Sequence, residues 1–213
     1  MNIRMSLIAA AFMILAGCTT TTTDLLSVAL DKQSPGQFEK IMVMAISDNE
    51  QVRTIVEQSL AGKIASTGTV ALAASDYVPG HLASMDKETL HRHAEEAIRE
   101  NGADAVLVTT LIDNSVRDQY TPPQVNQVAM PVVEPRFGNY VGMQYETVMM
   151  PGYFTSLQEV YIQTTLFDTA TGHAVWKAQS KTINPVSLED GVKNFSNVMV
   201  PRLESDGMLG GGN

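Results

Sequence analysis

The sequence predicts an α/β protein: a mixed five-stranded sheet in the order β-α-β-α-β-β-β-α, with helices packed on it. Three observations carry this. Short apolar runs alternate with amphipathic segments between residues 40 and 112. Two runs of period two flank a tight turn at residues 168–172. An amphipathic segment then closes the chain from Ser187.

The first strand is Lys40 to Ile46, a short apolar run bounded by polar residues. Ser47-Asp48-Asn49-Glu50 is a capping-box pattern opening a helix. Val52, Ile55, Val56, Leu60 and Ile64 share one face of that helix, and Gly68 ends the unit. Thr69 to Ala74 reads as the second strand. Asp86 or Ser84 caps a second helix carrying Leu90, Ala94, Ala97 and Ile98, which Gly102 stops. Ala103 to Ile112, apolar on both faces, is the third strand. Strand–helix–strand units imply right-handed crossovers and a mainly parallel core. Val160, Ile162, Thr164 and Leu166 then alternate with polar neighbours, as do Ala174, Trp176, Ala178 and Ser180. Asp168-Thr169-Ala170-Thr171-Gly172 between them is a hairpin turn, so these strands add antiparallel. Ser187 caps a helix with Leu188, Val192, Phe195, Met199 and Leu203 on one face, which Pro201 should kink or end. Residues 38–209 therefore form one domain, and 210–213 a frayed tail.

The N-terminus is of another kind. Arg4 precedes an apolar run from Leu7 to Leu15, of signal-peptide length and too short to span a bilayer. Leu15-Ala16-Gly17-Cys18 resembles the lipobox of bacterial lipoproteins. The resemblance implies cleavage between Gly17 and Cys18, removal of residues 1–17, and diacylglycerol and a further acyl chain such as palmitate on Cys18. Cys18 is the single cysteine, so no disulfide forms within the chain. Each buried methylene contributes about 0.8 kcal/mol, so two or three chains anchor the protein durably. Thr19 and Thr20, rather than Asp, follow the cysteine. By the same resemblance this implies the inner leaflet of a Gram-negative outer membrane, with the domain in the periplasm. Residues 18–37 read as a tether, with Leu25, Leu26, Val28 and Leu30 free to form a docking helical turn or not.

The formal charge is −9, and Arg4 is the one charged residue the signal removes. That excludes a nucleic-acid binder and electrostatic docking on anionic lipid. Membrane contact falls to the acyl chains. No Gly-x-Ser-x-Gly elbow is present. Acidic Ser47-Asp48-Asn49-Glu50 replaces a phosphate loop after the first strand. Asp48, Asp76 and Asp113 sit at the predicted carboxyl ends of the parallel strands, where open sheets bind ligands. They could hold Mg²⁺ or Ca²⁺, but read more simply as a helix-start acid and two loop acids. His91 and His93 are two apart on a helix and cannot share an ion. His91 with Glu95 offers two ligands, too few for a zinc site without His81 or His173. No cofactor is implied and no catalytic set stands out, which makes an enzyme the weaker reading. A glycosidase-like carboxylate pair would meet only in the fold, so an envelope hydrolase remains an alternative.

Residues 118–154 are unusual, an insertion of about 37 residues where ordinary connections are far shorter. It holds five of the nine prolines (Pro122, Pro123, Pro131, Pro135, Pro151) and four of the six tyrosines (Tyr120, Tyr140, Tyr145, Tyr153). Phe137, Phe154 and four methionines lie there too. A flexible linker would be poor in such residues, whereas rigid aromatics and methionine suit a partner surface. The insertion equally suits a segment packed on its own domain, or a β-ribbon from Val125 to Val133 and Tyr140 to Met149. A ribbon and a partner surface are compatible.

The strand KIMVMAI, the Gly102-Ala103-Asp104-Ala105-Val106-Leu107 entry to the third strand and the Phe167-Asp168…Gly172…Val175-Trp176 hairpin together resemble a group of periplasmic lipoproteins. Their α/β domain is similar to the N-terminal domain of TolB and the core of CsgG, and PelC and LpoB share it. The resemblance covers roughly residues 38–117 and 155–209. It implies a non-catalytic accessory that binds or helps assemble a cell-envelope protein, with self-association as a further implied property. A small-ligand or divalent-metal-binding lipoprotein is the alternative.

Overall fold

A computed structural model describes residues 21–31, 36–78, 85–133 and 141–210. Its strands and helices run β1 (Thr22–Leu30), β2 (Lys40–Ile46), α1 (Glu50–Ala65), β3 (Val70–Ala73), α2 (Lys87–Asn101), β4 (Ala105–Thr121), β5 (Gln124–Val133), β6 (Val141–Met150), β7 (Tyr153–Asp168), β8 (Ala174–Ile183) and α3 (Leu188–Ser205). The main sheet has the order β1-β8-β7-β4-β2-β3. β2 pairs parallel with β3 and β4, and the remaining neighbours pair antiparallel.

The α/β class and mixed sheet are as expected, but the sheet has six strands rather than five. The extra one is β1, in the stretch read as a tether. Its threonines are β-branched, and such residues favour extended backbone as strongly as they suit a polar linker. Thr23 is buried and its hydroxyl meets that of Thr182 at 2.9 Å. A bulge between Leu25 and Ser27 shifts the inward register, so that Leu25 and Val28 both pack on the core.

The core lies in two layers, one on each face of the sheet. Ile41, Val43, Ala45, Ala105, Leu107 and Leu166 meet α1 and α3 on one face. Met42, Met44 and Val106 meet Ala97 of α2, with Leu90, Ala94 and Ile98 beside it, on the other. Successive residues of one strand point to opposite faces, so KIMVMAI is apolar throughout because both of its faces are covered.

The helix ends refine the expectations. Asn49, not Ser47, caps α1, accepting from the Gln51 and Val52 amides, while Ser47 Oγ accepts from Asn49 N–H. Asp86 and Ser187 cap α2 and α3, and Gly102 at φ 63° ends α2. The helix α3 continues through Pro201 to Ser205, so proline does not end it. It sits in the last part of the helix, where only one turn lies beyond the lost N–H. Gly210 is no frayed end: its N–H donates to Phe38 O at 2.8 Å, beside a parallel bridge from Leu209 to Phe38. The remaining tail lies outside the described residues. Trp176 is buried, and its indole N–H donates to Asp206 at 2.7 Å, tying β8 to the end of α3.

Candidate functional site

The strand polarities bring several features to one end of the sheet. β2 ends there at Ile46, and α1 and α3 begin there. Register places Thr22 opposite Ile183, Ile183 opposite Glu159, and Glu159 opposite Ser115. β4 and β7 run on past this level as a two-stranded ribbon to the pair Thr121–Tyr153. Pro122-Pro123 and Pro151-Gly152 interrupt it. β5 and β6 then pair from Gln124–Met150 to Val133–Val141. The insertion is thus built as a ribbon, which extends the third and fourth predicted strands. Among the residues whose side chains are described, none from 118 to 154 belongs to either core cluster.

The arm carries apolar side chains in the open. Val116, Tyr120, Val125, Met149, Met150, Tyr153 and Phe154 are each more than half exposed, Met149 and Phe154 over 70%. The rings of Tyr120 and Phe154 meet at 4.9 Å, tilted by 42°. A Cβ at Gly152 would lie 2.6 Å from the Tyr120 hydroxyl and 3.0 Å from Thr121 O. Glycine therefore lets the chain pass close beneath the ring. Tyr145 stands on β6 opposite Ala129. Phe137, Tyr140, Gly17 and Cys18 lie outside the described residues.

At the root of the arm a cleft of about 850 Å³ opens between the starts of α1 and α3 and the sheet. Val52, Val56, Val160, Ile162, Val192 and Phe195 give it apolar walls, with Asn49, Asn114 and Ser187 at polar positions. Asp48 lines it, but Asp76 and Asp113 do not. Asp76 closes a 3₁₀ turn at Ala74–Asp76. Asp113 lies within β4, which continues past it, and accepts from Ser115 Oγ at 3.0 Å. The three acids do not come together, since β4 does not end where the sequence suggested. Among the described residues no three His, Cys, Asp or Glu side chains gather to hold a metal. His91 and His93 stand on α2 beside Glu95 and Glu96, at 3.4 and 3.9 Å. His173 is in the β7–β8 turn and His81 lies outside the described residues.

Sequence reasoning missed four polar side-chain groups. Arg53 and Glu57 are 1% and 0% exposed and pair at 3.0 Å. Glu57 also accepts from Ala45 N–H and Ser75 N–H, and Arg53 donates to Val78 O at 2.7 Å. The pair pins α1 to the ends of β2 and β3. These partners lie within the fold and give the pair a structural role. The spacing 53, 57, 60, 64 puts both on the inward stripe with Leu60 and Ile64, a signal open to sequence reading. Asp104 accepts from Glu39 and Lys40 N–H and fixes the start of β2. Glu159 gathers Arg117, Lys181 and the Tyr161 hydroxyl at the root of the arm. Asp190 accepts from the Thr21 hydroxyl, which holds its carboxyl below the usual range, aided by Val186 N–H, Lys193 and Asn194. This clasp fastens the start of β1 to α3.

No protein-family model and no curated protein matches the chain. Solved structures give loose likenesses. A PelC dodecamer from Paraburkholderia phytofirmans is 11% identical, with a TM-score of 0.42, over 90% of this chain and 99% of that one. A lipoprotein from Neisseria meningitidis is 14% identical, with a TM-score of 0.38, over 78% of this chain and 98% of that one. A PDZ domain protein from Parabacteroides distasonis is 10% identical, with a TM-score of 0.37, over 85% of this chain and 36% of that one. At such scores no role passes from these proteins to this one.

Proposed function

We propose that the chain is a non-catalytic, lipid-anchored accessory protein of the cell envelope. Acyl chains on Cys18, exposed by cleavage after Gly17, hold it to the periplasmic leaflet of the outer membrane. It binds or helps assemble another envelope component through residues 118–154. The observation that carries this reading is the arm itself. A two-part β-ribbon whose described side chains lie outside both core clusters exposes Val116, Tyr120, Val125, Met149, Tyr153 and Phe154. Exposed apolar area of this kind marks interaction sites on soluble domains. Affinity purification from detergent-solubilised envelopes tests it, comparing the intact chain with one joined from Arg117 to Thr155. The reading expects a partner retained by the first and lost from the second. Equal recovery by both chains contradicts it. A species holding only further copies of this chain would put self-association in place of a second protein.

The cleft supports a second reading, a small-ligand lipoprotein. Its apolar walls and few polar groups suit a compact, largely apolar molecule. A thermal-shift screen tests that, with Val192→Trp filling the cleft; a stabilising ligand should lose its effect on that variant.

A further inference from the structure

The register that joins β1 to the arm also limits how far the chain before Thr22 can carry the proposed lipid anchor along it. Thr22 lies level with Ser115 across the sheet. Cys18 precedes Thr22 by four residues, and four residues reach at most about 14 Å. The arm climbs about 3.4 Å per residue, so the lipidated sulfur can stand no higher than about the level of Gln119. The next rungs are Tyr120–Phe154 and Thr121–Tyr153, followed by Met150 and Met149 just past the interruption at Pro122-Pro123 and Pro151-Gly152. Thr21 is held by Asn184 and Asp190, so the reach is counted from this end of β1.

An anchor on Cys18 would therefore leave the aromatic end of the first ribbon able to reach the bilayer with it. We infer that Tyr120, Tyr153 and Phe154, with Met149 and Met150, form a second membrane contact, seated in the headgroup interface beside the lipid on Cys18. The chemistry fits lipid. Tyrosine and phenylalanine combine an apolar body with, in tyrosine, a polar tip, and such rings collect where acyl chain meets water. The rungs below are Asp118–Ser156 and Arg117–Leu157, with Gln119–Thr155 between them and the rings. This polar stretch marks the aqueous side and stops the ribbon from sinking at that level. The contact would orient the domain, since a flexible lipid alone leaves it free to tumble. This rests on the anchor in the proposed function and narrows the place where the arm acts.

The test uses the full lipidated protein in phosphatidylethanolamine–phosphatidylglycerol vesicles. An environment-sensitive fluorophore is placed on Thr155→Cys, or on Ala65→Cys at the far end of α1, with the acylated Cys18 thiol blocked. Both positions are exposed. Mass spectrometry of Cys18 and vesicle flotation first read the anchor by themselves. With the anchor present, lipids brominated near the headgroup should quench most of the Thr155 signal and leave the Ala65 signal unchanged. Replacing Tyr120, Tyr153 and Phe154 by serine together should abolish that quenching while flotation persists. Flotation without quenching at Thr155 overturns the contact and leaves the anchor standing. A blue-shifted but unquenched label means that protein, not lipid, covers the rings, and also overturns it. An unmodified Cys18 removes the anchor, and the contact with it.

Discussion

Replacing Glu57 with glutamine tests most sharply the energetic reading of the fold. The substitution keeps shape and volume, so no cavity opens. It removes the charge that faces Arg53, whose side chain is 1% exposed. It also turns one acceptor oxygen into a donor. That NH₂ must face either Ser75 N–H or the pair formed by Ala45 N–H and Arg53. Removing one partner of a buried pair costs about 3–5 kcal/mol. A backbone donor left without an acceptor costs about 1–3 kcal/mol, a penalty that overlaps with the first. A total near 4 kcal/mol is about a quarter or more of the stability of an ordinary domain. With a urea slope of about 2.5 kcal/mol/M, the midpoint should fall by about 1.5 M. Trp176 is the single tryptophan and is buried, so its fluorescence reports global unfolding of the chain from Thr19. Arg53→Met combined with Glu57→Leu should lose less than Glu57→Gln alone, because it leaves no buried charge behind. A Glu57→Gln midpoint within about 0.3 M of the parent would refute the reasoning.

Other outcomes follow from the same geometry. Gly210→Ala places a Cβ 2.8 Å from the Phe38 carbonyl oxygen; such overpacking should cost about 1–3 kcal/mol, read from the same urea curves. Asp190 titrates below its ordinary 3.8 in the folded chain. Its clasp on Thr21 is fully present above about pH 4 and lost as pH falls through the lowered folded value. Protection of the Thr22 and Thr23 amides, relative to their intrinsic exchange, should therefore fall in that acid window, and Asp190→Asn should flatten the response. Joining Arg117 to Thr155 removes an arm whose described side chains lie outside both core clusters, so cooperative unfolding should survive with a midpoint close to the parent's. Millimolar Ca²⁺ or Mg²⁺ should leave the melting temperature unmoved, and Asp76→Ala should not alter that.

The elements that sequence revealed are those whose signal is local. KIMVMAI, the Asp168–Gly172 turn and the Leu90–Ile98 stripe each declare themselves within one turn or strand, and each stands where expected. β1 was hidden because its partner is distant. Thr22 pairs with Ile183, and the alternation in β1 is broken by a bulge, so no uniform period marks it. Glu57 and Arg53 were hidden for the opposite reason: their spacing is plain, but two charges on an inward stripe read as surface until their partners are seen. Asp113 misled because an apolar run ended at Ile112 while the strand did not. β4 goes on for nine residues, the last six as a two-stranded ribbon, and its composition turns polar there. The cleft gathers residues from β2, α1, β4, β7 and α3, a juxtaposition no window of sequence contains.

The central claim is that the arm meets another envelope component. In-cell photo-crosslinking with a probe in place of Val125, an exposed β5 residue paired with Met149, tests it most directly. The account predicts a discrete adduct with an envelope protein, absent when the probe stands at Ala65. No protein adduct at Val125, in cells whose chain is anchored and folded, would contradict it.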